Sequence, residues 1–494
     1  MAKGIDYFSD ESIASDLKNK TVRSGMATMT AQAVQVGIQL AALSILARLL
    51  DPADFGLVYM VTVFTQFAAM FVDVGLSMAT VQRQKITHEQ VSNLFWLALA
   101  SGGLIAAVVA ALSPAIVWVY DEPRLLAITL TLCPSFVFAA LTLQPQALLR
   151  RAMRFNVIAT VQVLSVLLGN TVAIAWAWWR RDYWALVLAP VAVAFIRMSG
   201  TWLACGWHPG RPRRGTGVWQ MLAFGGHLTG FNLTNYFSRN ADNMLIGWYW
   251  GETLLGLYAQ AYKLLLLPLQ QVIGPLTAVT VGALSRSIND PPRYRRAYGN
   301  ILESLLLLTT PAMAFALAAR ELCIELLLGR QWMGSVPIFA WLGVAALVQP
   351  FYSSLGWLLI SQGRVKSMFK WSIFASIVSV VAFSIGLPWG PVYVAAAYVI
   401  ANITIHMPTL VFLATKEGPV RARDLVPYVR LPALLGLSVY SGTMLLRHYF
   451  ATGNSIVDFA VYLLGAVVIS LAVMLVTSSG RHRLVYYGKT LVGK

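Results

Sequence analysis

Six polar residues, Asn232, Asn235, Tyr236, Arg239, Asp242 and Asn243, recur at helical spacing inside an otherwise apolar stretch, so on a helix they fall on one face. Their chemistry is that of holding a polar, charged guest rather than of breaking bonds. A guanidinium offers a planar fork of donors to an anion, and amides and phenols add hydrogen bonds. A second stripe, Gln32, Gln35 and Gln39, lies near the start of the chain, and Lys263 supplies a mobile cation. Arg239 and Asp242, three residues apart, can also neutralise each other. Two readings stand side by side: a structural ion pair that pins the helix to a neighbour, or a pair lining a watery path in which Asp242 releases Arg239 when an anion arrives.

The elements that must position these residues are membrane helices. The chain has 494 residues, 58% hydrophobic and 12% charged, with a mean hydropathy of +0.66. Soluble domains carry about a quarter charged residues. Apolar windows of about 17–25 residues, enough to cross the hydrocarbon as helix, recur along the whole length. Fourteen are counted, from 24–47 to 456–477 and including 57–80, 219–250 and 254–285. The fold class expected is an all-α polytopic membrane protein with no soluble domain between spans. A charge at the centre of such a helix costs about 2.5–3.5 kcal/mol, so the stripes must face a bundle interior or water.

Basic residues concentrate in alternate gaps. Arg83 and Lys85, Arg150, Arg151 and Arg154, Arg211, Arg213 and Arg214, and Arg364, Lys366 and Lys370 lie on one side, while the opposite gaps hold Arg48, Arg124, Arg320 and Arg447. The positive-inside rule then predicts cytoplasmic termini. The first 23 residues lack the apolar core of a signal peptide and are expected to stay attached. Topology therefore accounts for most of the net charge of +17, and nucleic-acid binding, which needs an exposed reading surface, is not expected.

A shift of 200 positions superposes Gly25 on Gly225, Gln32 on Asn232, Gln35 on Asn235, Gln39 on Arg239 and Gly56-Leu57 on Gly256-Leu257. Such matches suggest an internal repeat of six helices, an even number, hence two parallel lobes related by an axis along the membrane normal. The organisation expected is a polar segment at 1–23, one lobe at 24–206, a second at 219–415, an added pair at 431–477 and a tail at 478–494. Pro268 and Pro275 are expected to interrupt the eighth helix.

Other polar residues have competing readings. Asp73 either lines the path, where with Asp242 it is a candidate for ion coupling, or sits at its mouth with Arg83. Arg197 and Glu303 lie near helix ends and are expected to snorkel to the interface. His227 and His406 are read as packing donors rather than proton relays. Capping or a local ion pair, rather than cargo contact, is expected for Arg48 and Asp54 at the first outer turn. Cys133, Cys205 and Cys323 lack metal or redox spacing, and no metal or cofactor is expected. The short outer gaps hold no HExxH, GxSxG or paired carboxylates, so catalysis is not expected either, and no GxxxxGK[ST] loop provides for ATP hydrolysis.

The runs RLLDPADFGLVYM (Arg48 to Met60), NADNMLIG followed by LGLYAQAYKLLLLP (Leu255 to Pro268), and GRQW (Gly329 to Trp332) resemble those of Wzx-type polysaccharide repeat-unit flippases. These belong to the multidrug, oligosaccharidyl-lipid and polysaccharide exporter superfamily, and the similarity runs over essentially the whole chain. It is strongest to the branch serving exopolysaccharides such as colanic acid and xanthan. The resemblance implies a V-shaped pair of six-helix lobes plus a terminal helix pair. It also implies movement of an undecaprenyl-diphosphate-linked oligosaccharide from the cytoplasmic to the periplasmic leaflet of a bacterial inner membrane, with membrane lipids, the polysaccharide polymerase and the export machinery as partners. Arg239 and Lys263 then suit the diphosphate, and Gln32, Gln35, Gln39, Asn232, Asn235 and Tyr236 the sugars. A lipid II flippase or a multidrug or cation exporter of the same superfamily is the alternative. Lipid II relatives carry arginines in the first helix where this chain has glutamines.

Overall fold

A computed structural model describes residues 17–73, 75–83, 85–213, 218–481 and 483, with the side chains of residues 17–27, 82, 218–235, 237–239, 267 and 278 outside that description. Among the described residues every regular element is helical. The chain divides into two compact units, one ending at Gly256 and the other beginning at Leu257.

The first unit contains α1 (Leu17–Leu49), α2 (Pro52–Ala69), the short α3 (Leu76–Gln82), α4 (His88–Tyr120), α5 (Arg124–Leu132), α6 (Pro134–Arg151), α7 (Phe155–Arg180) and α8 (Trp184–Cys205). Helix starts follow local chemistry. Pro52 opens α2, and the Asp54 carboxylate accepts the Asp51 N–H at 3.1 Å, so the expected capping is found. Thr87 and Gln90 cap α4 reciprocally: the Gln90 N–H donates to Thr87 Oγ1 at 3.3 Å and the Thr87 N–H to Gln90 Oε1 at 3.1 Å. The core gathers Val91, Leu94, Phe95, Leu148, Leu149 and Trp207. Polar groups inside it are paired: Thr80 donates to Gln144 Oε1 at 2.7 Å, and Gln144 Nε2 donates to the Leu76 carbonyl at 3.2 Å, tying α3 to α6.

After α8 the chain turns at Gly206, whose φ of 65° suits a residue without Cβ, and is stitched back onto the start of α4. Gly210 donates to Ser92 Oγ (2.9 Å), Trp96 Nε1 donates to the Gly210 carbonyl (2.8 Å), and the Asn93 amide accepts from the Arg213 N–H (2.9 Å) and donates to the Arg213 carbonyl (2.6 Å).

A long helical run, α9 (Val218–Arg286), begins in the first unit and ends in the second. It is broken at Gly251 (φ 76°, ψ −172°) and bent by 45° where Leu266 meets Pro268. The bend lies at one of the two prolines expected to cause it.

The second unit continues with α10 (Pro291–Ala318), α11 (Arg320–Leu327), α12 (Val336–Ser361), α13 (Val365–Gly386), α14 (Pro391–Ala401), α15 (Met407–Thr415), α16 (Val426–Tyr449) and α17 (Ser455–Val476). Tyr294, Tyr298, Leu302, Leu305, Leu355 and Leu358 belong to one apolar core, in which the Tyr298 and Ser354 hydroxyls share a hydrogen bond of 3.0 Å. Between α14 and α15 lies one turn of π-helix, Asn402–His406, in which the Met407 N–H reaches the Asn402 carbonyl. Pro408 follows at once and has no N–H to continue an α-helical ladder.

Eleven helices among the described residues are long and apolar enough to cross a membrane, and the bent run Asn240–Leu266 with Pro268–Arg286 brings the number to twelve. The fourteen windows are therefore not all matched by such helices. Window 57–80 is not continuous: α2 ends at Ala69, and the chain turns before α3 starts behind Gly75, whose φ is 80°. Most of window 219–250 lies among the residues whose side chains are outside the description. Large apolar side chains face outward in both units: Leu203, Trp118 and Trp178 in the first, Val476, Leu464 and Leu437 in the second. A surface this apolar is stable in a bilayer, and Trp118, Trp178 and Trp179 stand at helix ends, where membrane interfaces favour tryptophan. All three cysteines are buried free thiols.

Candidate functional site

The expected polar residues fall into four groups. Asp242 is 2% exposed, and its Oδ1 accepts the N–H of Asn243 at 2.8 Å. Six residues earlier, Tyr236 packs its ring against Phe67, with centroids 5.8 Å apart, and donates its hydroxyl to the Val63 carbonyl at 2.6 Å. At Tyr236, α9 is thereby held to α2 by a polar contact that a phenylalanine could not make. Asn240 Nδ2 donates to the Tyr236 carbonyl at 2.9 Å. The side chains of Asn232, Asn235 and Arg239, and of His227, lie outside the described residues.

On α1, Gln32 and Gln35 are half-buried and Gln39 is exposed. This helix packs along α7. Asp73 follows α2, where it accepts from the Ser77 N–H at 3.0 Å and from the Ser77 hydroxyl. It thus caps the start of α3. Lys263 belongs to the second unit and is exposed.

The structure also joins residues that the repeat had only aligned. Gly56 of α2 and Gly256 of α9 meet backbone to backbone. A methyl on Gly56 would overlap the Glu252 carbonyl, and one on Gly256 would overlap the Pro52 carbonyl and lie 3.2 Å from the Gly56 nitrogen. Beside this crossing Arg124 pairs with Glu122 at 2.7 Å and with Glu252 at 3.1 Å. The Arg124 guanidinium holds the Glu122 carboxyl below the usual range, and burial pushes the Asp54 carboxyl up.

Glu303 does not snorkel. It is 4% exposed and accepts from Arg483, which also donates to Asn300 Oδ1 at 3.1 Å. The partner lies far along the sequence, so no local pattern announced it. Arg197 is half-buried, and its Nε is buried and meets no hydrogen-bond acceptor among the described residues. Among the described residues no group of three His, Cys, Asp or Glu side chains could hold a metal.

Comparison with known proteins agrees with this architecture. The lipopolysaccharide biosynthesis protein WzxC of Escherichia coli (strain K12) is 25% identical over 376 residues, covering 75% of this chain and 76% of the relative. The succinoglycan biosynthesis transport protein ExoT of Rhizobium meliloti (strain 1021) is 24% identical over 355 residues, 71% of each chain. Among solved structures, a lipid II flippase, MurJ, in an inward closed conformation superposes with a TM-score of 0.72 at 15% identity, covering 92% of this chain and 98% of that one. That likeness is one of fold: a polytopic, all-helical membrane architecture. The model of the polysaccharide biosynthesis protein family matches residues 45–337, more than half of the sequence, so the chain belongs to that family of multi-pass membrane proteins.

Proposed function

We infer that this protein moves lipid-linked oligosaccharide repeat units across the membrane during exopolysaccharide synthesis. The cargo is an undecaprenyl-diphosphate-linked oligosaccharide, taken from the cytoplasmic to the periplasmic leaflet of a bacterial inner membrane by alternating access, with both termini cytoplasmic. Within the established family, the observation that carries this reading is Asp242, a carboxylate buried to 2% exposure on a helix whose sequence also includes Arg239. A buried charge in an apolar span marks a guest's path more often than a packing device.

Arg239 and Lys263 are assigned to the diphosphate, and Gln32, Gln35, Gln39, Asn232, Asn235 and Tyr236 to the sugars. Asp242 neutralises Arg239 until cargo arrives. Movement is driven by an ion gradient, with Asp242 and Asp73 as the groups that could take up the ion. The protein rearranges its cargo in space and makes or breaks no covalent bond. Polymerase and export machinery receive the product.

The test is flipping of labelled lipid-diphosphate oligosaccharide in reconstituted vesicles by wild type, Arg239→Ala and Arg239→Lys at matched protein amount. Loss in both variants with folding intact supports a guanidinium contact with cargo. Normal transport by the alanine variant returns Arg239 and Asp242 to a structural ion pair, and inactivity of the wild type overturns the assigned cargo.

A further inference from the structure

Arg197 sits on α8 eight positions before Cys205, about 12 Å along the axis at 1.5 Å per residue. Val193, Arg197 and Gly200 share one face of that helix. Val193 packs onto Gly169 of α7 so closely that a methyl on the glycine would overlap it, and a methyl on Gly200 would stand 3.1 Å from Val161 Cγ1. The two helices run antiparallel, so Arg197 lies between these contacts, level with Ser165. Ser165 is fully buried and donates its hydroxyl to the Val161 carbonyl at 2.6 Å. The stem and the Nε therefore lie on the α7 side, while the residue as a whole is half-buried.

Its charge is not met there. The Nε is buried without an acceptor, and among the described residues no carboxylate pairs with Arg197. A lysine so placed could lose its proton, but an arginine stays charged. Nor does the stem favour escape toward the Cys205 end, which neighbours the basic loops. In an α-helix the Cα–Cβ bond leans toward the N-terminus, so the side chain of Arg197 starts back toward the middle of the span. A fixed cation in an apolar span needs a counter-charge, and the described residues supply none here.

We propose that Arg197 is a binding site for a lipid phosphate. The planar fork of a guanidinium matches the oxygens of a phosphodiester or diphosphate, and a phosphate on a lipid can reach a helix hairpin from the bilayer side. Two sources share this chemistry: the diphosphate of a lipid-linked cargo, which rests on the function inferred above, and the headgroup of a bulk phospholipid, which does not.

The experiment places the full chain in nanodiscs of phosphatidylcholine and titrates undecaprenyl diphosphate in one arm and phosphatidylglycerol in another, reading affinity and thermal midpoint. Wild type, Arg197→Lys and Arg197→Met are compared. The methionine variant keeps most of the volume without the charge. It is expected to bind at least one probe about tenfold more weakly or worse, while its ligand-free midpoint holds or rises because an uncompensated charge has gone. The lysine variant is expected to fall between, and it carries the test if the methionine protein does not fold.

The probe whose affinity depends on Arg197 names the source. Equal binding of both probes by all three proteins overturns the proposal and leaves water as the partner of the guanidinium. So does a lower ligand-free midpoint with unchanged affinity, which marks a packing role. The two inferences fail separately: wild-type protein that binds undecaprenyl diphosphate through Arg197 but moves no oligosaccharide refutes the transport reading alone.

Discussion

Gly56 and Gly256, two hundred positions apart, lie against each other with no side chain between them, and each faces the carbonyl of the residue four positions before its partner: Glu252 against Gly56 and Pro52 against Gly256. The contact maps onto itself when the numbering is shifted by 200. That is the geometry of a local two-fold axis, and small residues at a helix crossing in lipid allow the backbones this approach.

Gly56→Ala and Gly256→Ala are each expected to destabilise the protein by about 1–3 kcal/mol, since the added methyl meets backbone that cannot rotate away. Gly103→Ala, where a Cβ meets nothing within 4 Å, is the control and should be neutral or slightly stabilising. Thermal unfolding in detergent measures all three, and equal midpoints would remove the crossing as a constraint.

Gly251 presents a different constraint. Nothing lies within 4 Å of a Cβ built there, yet its φ of 76° with ψ of −172° belongs to a region open essentially to glycine alone. Gly251→Ala should therefore cost about 1–3 kcal/mol through the backbone, or straighten the break into continuous helix. Distances between spin labels placed on either side of residue 251 distinguish these outcomes from no effect.

Tyr236→Phe removes the hydroxyl that donates to the Val63 carbonyl and should lower stability by about 0.5–1.5 kcal/mol. Asp242→Asn is expected to keep the fold but to reduce cargo transport. If transport survives in the asparagine variant at wild-type rate, the switching role given to Asp242 is lost.

Acid should weaken the ion pairs of the loops. Glu122 is held below its ordinary range by the hydrogen bond from Arg124, and Glu325 by those from Arg330 and Ser455. A carboxyl lowered on folding stabilises above its unfolded value, about 4.3 for glutamate, and that contribution is lost as pH falls through the lowered value. Asp54 acts in the opposite sense, because burial raises its carboxyl and its contribution is lost as pH rises. Thermal midpoints between about pH 3 and pH 6 should fall less steeply toward acid in Glu122→Gln than in wild type. The difference is small, since exposed pairs are screened.

Membrane class and helical content were legible because they rest on windows of many residues. The break after Ala69 was not, because a window average passes over a turn. Its signal was Asp73 followed by Gly75, a side chain able to cap and a residue free to adopt positive φ. Partners remote in sequence were equally hidden. Glu303 and Arg197 looked alike at the level of span ends, yet one finds Arg483 and the other finds no carboxylate among the described residues. The helix that carries Asn232, Asn235, Tyr236, Arg239 and Asp242 was legible from their spacing. The commitment of the Tyr236 hydroxyl to α2 was not, because it depends on how two helices pack.

The π-helical turn at Asn402–His406 carries a consequence for how this chain can change length. Removing one residue from an α-helix turns everything beyond it by about 100° and exchanges buried faces for exposed ones. A π turn already holds one surplus residue between helices whose faces are set. Deleting a single position there converts the turn to α-helix and leaves α14 and α15 facing as before. Among the spans of the second unit, this is the place where relatives one residue shorter can keep the same packing.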